Sequence, residues 1–134
     1  MRYLRVNLMN RHPFIEESVR RHINEIRSVV GVTACALVSS EGKILGKHFP
    51  EGDLTSSLFA AMCATVLASA EAACGSVNME RPLLVTVASS DARILIVSVG
   101  ESALITAVID MSADLPKVQG QLLNVAVRIR EEEA

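Results

Sequence analysis

Aromatic residues are nearly absent from this chain: it has no Trp, one Tyr and three Phe, so they make up 3% of 134 residues. Few platforms remain for stacking nucleic-acid bases. The net charge of −2 at pH 7 supplies no electrostatic attraction to nucleic acid or to anionic lipid. Nucleic acid is therefore not an expected partner. Cysteine is also scarce. Cys35, Cys63 and Cys74 are odd in number and form no close pair. Cys63 and Cys74 would share nearly one helical face, but about 16 Å apart along the axis, beyond disulfide reach. Buried free thiols in a reducing cytosol fit this pattern. The opening "MRYLRVNLMNRHP" has Arg5 and Asn7 where a signal peptide needs an apolar run, so the expected location is cytoplasmic.

The recognisable small-molecule motifs are missing too. The seven glycines match neither phosphate-loop nor dinucleotide spacing. His12, His22 and His48 have no helical or strand pairing with each other, and no C-x-x-C or H-x-x-x-H occurs, so neither metal nor cofactor is expected. Ser39-Ser40 and Ser89-Ser90, the latter with Asp91 nearby, lie in turns, where Ser and Asp bond the local backbone. Asp110 and Asp114 flank a helix, and capping outranks acid–base work there. No catalytic residue is assigned, and an interaction module fits better than an enzyme.

What is present is Val, Ile, Leu and Ala, in half-hydrophobic proportion and in readable order. Residues 1–12 form a leader whose "YLRVNLM" alternates weakly, as a short strand would. From Pro13, the residues Phe14, Ile15, Val19, Ile23, Ile26 and Val30 predict an amphipathic helix that Gly31 ends. "VTACALV", the turn "SSEG" and "KILGKHF" predict a hairpin. A long helix over Leu54–Gly75 follows, with Asp53 as N-cap. "PLLVTVA", "RILIVSV" and "SALITAVI" are three further strands joined by short turns. Leu115, Val118, Leu122, Val125 and Ile129 mark a last amphipathic helix, with residues 132–134 as a fraying tail because "EEE" opposes the helix dipole. Residues 13–131 are thus one α+β domain of order α-β-β-α-β-β-β-α. The last three strands are apolar on both faces, so helices must cover the sheet on both sides.

The long helix carries the functional question. No side chain is charged between Leu54 and Ala70. That stretch falls short of the roughly 20 residues needed to span hydrocarbon, and Glu51, Asp53 and Glu71 flank it. No direct membrane insertion is expected. Phe59, Met62, Cys63, Val66, Leu67 and Ala70 form one stripe, expected to cover the sheet. The opposite side offers Ser57, Ala60, Ala61, Ala64 and Ala68 where a surface helix would carry charge. That side is expected to meet another protein.

"VVGVTACALVSSEGKILG", the Ala-rich helix and "LLVTVASSDARILIVSVGESALITAVI" together resemble the roadblock/dynein light-chain superfamily. Gly31-Val32, the Ser40-Glu41-Gly42 turn and the three-strand run before a final helix carry the similarity, which spans about residues 13–130. The resemblance implies a profilin-like or roadblock-like fold, with a five-stranded antiparallel sheet between one central helix and two terminal helices. It also implies a homodimer in which "PLLVTVA" pairs with its symmetry mate while the central helices pack alongside. An isologous dimer would cover an apolar edge strand. The interface residues implied are Ser57, Ala61, Ala64, Ala68, Leu84 and Thr86. Prokaryotic relatives regulate or scaffold small Ras-like GTPases, so such a GTPase is the expected partner, with scaffolding or GTPase activation as the role. Arg20, Arg21, Arg27, Arg81 and Arg93 are present, and nothing singles one out as a catalytic finger. The leader departs from the compact family pattern and can add a strand or block a face. Two rivals remain: a small-molecule-binding sensory domain, for which Thr33, Thr86, Ser98 and Thr106 are the available polar groups, and a hydrolase using Ser90.

Overall fold

A computed structural model describes residues 13–50, 52 and 55–134. The expected leader strand, His12 and the Asp53 cap lie outside the described residues. The elements are α1 (Glu16–Arg27), β1 (Val32–Ser39), β2 (Ile44–His48), α2 (Ser56–Ser76), β3 (Leu84–Ala88), β4 (Ala92–Val99), β5 (Ala103–Asp110) and α3 (Leu115–Glu132). The strands form one sheet in the order β2-β1-β5-β4-β3, every pair antiparallel.

Alternation along the strands builds two cores rather than one. Leu37, Leu95, Val97, Ile105 and Ile109 point to one face and are sealed by Ile26 of α1 and by Leu122 and Ile129 of α3. Ala36, Val38, Ile96 and Leu104 point to the other face, against Ala60, Cys63, Ala64 and Leu67 of α2. Each fully buried Leu, Ile or Val contributes about 1.5–3 kcal/mol relative to exposure. The apolar character of both strand faces thus has its expected cause, helix–sheet–helix layering.

Two helix ends differ from the sequence reading. Pro13 and Phe14 precede α1, whose N-cap is Ile15. Phe14 has φ 60°, a left-handed conformation that cannot continue into a helix, and its N–H donates to the Glu133 carboxylate. Val30 lies beyond the helix and is exposed, while Val29 turns into the core. At the other end of the chain, α3 runs to Glu132, and Glu133 is anchored where fraying was expected. His22 Nε2 lies 2.7 Å from Glu133 Oε2, with the two side chains 3% and 8% exposed. Arg21 pairs with Glu132 at 2.5 Å. Tertiary partners outweigh the unfavourable dipole, and the last turn of α3 is stapled to the first turns of α1.

The turn assignments correspond to local hydrogen bonds. Ser39 and Gly42 close the β1–β2 hairpin, with Gly42 N–H donating to Ser39 O at 2.9 Å. Ser89 Oγ donates to Asp91 Oδ1 at 2.6 Å inside the β3–β4 turn. Asp114 caps α3 by accepting from Lys117 N–H at 3.2 Å.

Candidate functional site

α2 has two apolar sides, and the structure turns the smaller one inward. Its buried residues are Ser56, Ala60, Cys63, Ala64 and Leu67. At 100° per residue, positions 60, 63, 64 and 67 form an i, i+3, i+4, i+7 stripe as regular as the expected one. The outward side then carries Leu58 at 61% exposure, Met62 at 51% and Val66 at 38%. This corrects the orientation of the helix. Met62 and Val66, expected against the sheet, are exposed; Ala60 and Ala64, expected on the open side, lie against it.

Volume is the reason. A Cβ placed on Gly42, which has φ +92°, would sit 3.4 Å from the Cα of Ala61 and 3.8 Å from the Cβ of Ala64. Only small side chains let α2 lie this close to the β1–β2 turn. Cys63 reaches furthest down, where the Thr106 hydroxyl donates to its Sγ at 3.1 Å. Burial raises the Cys63 thiol pKa, and the Thr106 hydrogen bond only partly opposes it, so this is a neutral packing group.

The six implied interface residues are now placed. Ser57 and Ala68 are exposed on α2, Ala61 is half-buried beside the hairpin turn, and Ala64 is taken up by the sheet. Leu84 and Thr86 lie on β3, a terminal strand of the sheet. Both are half-buried on the α1/α3 side, where Leu84 packs on the core and Thr86 accepts from Gln119 Nε2 at 3.1 Å. The other side of β3 carries Val85, which packs towards α2, and Val87, which is exposed; Leu83 just ahead is 70% exposed.

The exposed side thus holds Met62 and Val66, which sequence reasoning placed against the sheet, and Leu58, which it did not assign. Leu58, Met62 and Val66 on α2, and β3, whose five residues carry no charge, are thus uncharged parts of the described surface. The far end of α2 is closed by Arg81, which donates two hydrogen bonds to Glu71 Oε2 at 3.2 and 2.6 Å. By length and composition α2 could cross a membrane. Its buried stripe is instead engaged by the sheet.

Other chemistry was sought in the same geometry. His22, Glu132 and Glu133 bring three possible metal-ligating atoms within 4.8 Å. Each is already held by a protein partner: His22 and Glu133 by each other, Glu132 by Arg21. Burial would raise the Glu133 carboxyl pKa, but hydrogen bonds from Phe14 N–H, His22 and Ser18 outweigh it and lower it. That is a structural staple. Thr33 bonds Val108 O, Ser98 bonds Gly100 O, Thr86 bonds Gln119 and Thr106 bonds Cys63. The four polar groups of the sensor alternative therefore do not converge on one cavity.

The comparisons with known proteins follow this geometry. The Roadblock/LC7 domain description matches residues 19–110. The chain belongs to the Roadblock/LC7 domain family. MglB from Myxococcus xanthus is similar in fold, with a TM-score of 0.79 at 10% identity over 86% of this chain and 94% of that one. An MglB described as having a tetrameric arrangement gives 0.75 at 22% identity, over 88% and 91%. Profilin II of Acanthamoeba castellanii gives 0.59 at 14% identity, over 83% and 95%. No curated protein matches the sequence significantly. A Roadblock/LC7 domain of three helices and a five-stranded antiparallel sheet is thus the fold in hand, and profilin shares that layering.

Proposed function

We propose that this chain is a non-catalytic, cytoplasmic homodimeric adaptor that regulates a small Ras-like GTPase. Its membership of the Roadblock/LC7 family, with MglB among its structural neighbours, supports a place among small-GTPase regulators. The observation that carries the dimer is the coincidence of an uncharged terminal strand, β3, with an outward apolar side on α2. Pairing β3 with its symmetry mate would satisfy the open ladder groups, and the α2 helices would then bury Leu58, Met62 and Val66 between them or against the GTPase. The tetrameric arrangement of one MglB supports self-association as a habit of this fold. In this reading the chemistry belongs to the GTPase, whose switch loops respond to differential binding.

Sedimentation velocity at micromolar concentration tests the dimer, and a monomer there removes the main support for it. Pull-downs from native lysate with GTP or GDP analogues added test the partner. Nucleotide-dependent recovery of a Ras-like GTPase is expected. Recovery of none, with a small molecule co-purifying, favours the sensory-domain reading.

A further inference from the structure

The opposite end of the sheet holds a second, differently built surface. β2 is the other terminal strand, and a groove of about 340 Å³ runs between it and α1. The groove exists because of Gly46. A Cβ there would come within 2.4 Å of Val19 Cγ1 and 3.0 Å of Ile23 Cγ1, so glycine alone lets α1 lie this close to β2. The buried Val19 and Ile23 and the half-buried Leu45 form its apolar floor.

The rim is positive. Arg20, Arg27 and one acid, Glu16, line it from α1, and Lys47 and His48 from β2. Arg20 has only an exposed partner, Glu16 at 3.5 Å, and a pair of that kind is worth about 0–1 kcal/mol. Arg27 has no carboxylate partner among the described residues. It overlooks Cys35, whose thiol pKa burial raises to about 11 while Arg27 acts in the opposite sense. Cys35 is the register partner of His48, so Arg27 and His48 converge at one end of the groove. A chain of net charge −2 has thus gathered net positive charge beside a strand that is terminal among the described residues.

We infer that this groove binds an extended acidic peptide from a partner protein, added as a strand along β2. Backbone ladder bonds supply the affinity and alternate side chains the selection. Residues four apart in a strand lie about 13.6 Å apart, and Arg20 and Arg27 about 10.5 Å apart along the helix axis, a difference of about 3 Å that two long, flexible side chains span. The fitting pattern is acidic–x–apolar–x–acidic, with the apolar residue beside Leu45 and the acidic ones near Arg20 and Arg27. Nucleic acid fits less well, because the centre of the groove is apolar and offers no aromatic ring for stacking. The β2 edge lies at the far end of the sheet from β3, so the site does not depend on the dimer proposed above.

Fluorescence anisotropy with the full chain tests this, using a labelled Gly-Ser-Asp-Thr-Val-Thr-Glu-Ser-Gly probe at low salt. Saturable binding that weakens as salt rises is expected. R20E/R27E, at two exposed helix positions, should keep its circular dichroism and lose at least about tenfold in affinity. The same double variant should gain affinity for a probe carrying Lys in place of both acidic residues. A probe N-methylated at both threonines should bind at least about tenfold more weakly, because it cannot form the ladder. No saturable binding to the full chain overturns the proposal. So does equal binding of the Lys or N-methylated probe to the unaltered chain, or displacement of the acidic probe by oligothymidine at equal concentration.

Discussion

The two edges of the sheet are built on opposite plans. β2 carries a bulge, with its register against β1 shifting between Leu37 and Val38, and it ends in Lys47 and His48. β3 pairs with β4 in unbroken register from Leu84 to Ala88, has no bulge, no proline and no charge, and is flanked by the exposed Leu83. Bulges and lysines are the usual means by which an edge resists indiscriminate pairing. One edge is guarded by charge and shape, and so can select a charged partner. The other is bare and calls for a cover. The apolar side of α2 adds Leu58, Met62 and Val66 to that requirement, whereas the helix beside β2 presents arginines.

The comparison can be broken most severely on the bare side. Met62→Asp places a charge on the outward side of α2, away from both cores. It should weaken the proposed dimer by about 100- to 1,000-fold, roughly 3–4 kcal/mol, with little change in the unfolding of the monomer. Sedimentation across a concentration series checks this, and an unchanged association constant would place the contact elsewhere. Next in size is Gly46→Val at the guarded edge. It forces a side chain into Val19 and Ile23, and should lower folding stability by about 2–3 kcal/mol in urea titrations. The same substitution at Val87's neighbour Ala88, an exposed position on β3, should cost less than about 0.5 kcal/mol.

A smaller effect separates both edges from the staple that joins the helices of one face. Glu133→Gln removes the charge that Phe14 N–H, Ser18 and His22 all address, and should cost about 1–2 kcal/mol. The sign with pH follows from the lowered pKa of Glu133. Its contribution is present above the ordinary value of 4.5 and is lost as pH falls through the lower folded value. The variant's deficit measured by urea titration should therefore shrink below about pH 4. A small gain is expected from Gly120→Ala in α3, where nothing lies within 4 Å of the added Cβ. It should stabilise the fold by about 0.5–1 kcal/mol and leave dimer and peptide binding untouched.

Much of this was legible from local pattern. Apolar, β-branched runs bounded by turn signals located the five described strands, and apolar spacing located the three described helices, because each depends on neighbours within a few residues. Turn chemistry at Ser39–Gly42, at Ser89–Asp91 and at Asp114 was equally local. The guarded character of β2 was only half visible, since Lys47 and His48 can be read off but the bulge depends on pairing with β1. The His22–Glu133 pair was not visible, because 111 positions separate the two residues and each was judged on its own element.

By itself the sequence determined the type and order of the described elements, the need to cover both sheet faces, and the absence of charge along α2 before Glu71. Local sterics and hydrophobic periodicity suffice for those. Tertiary structure alone decided which way α2 faces. Two stripes of that helix are uncharged and regularly spaced, and transfer free energy alone would bury the larger side chains. Close approach to Gly42 and to the Thr106 hydroxyl decides otherwise, and it sets the small Ala60, Cys63 and Ala64, followed by Leu67, beneath the helix. The larger Leu58, Met62 and Val66 are left outside as the surface on which the proposed function rests.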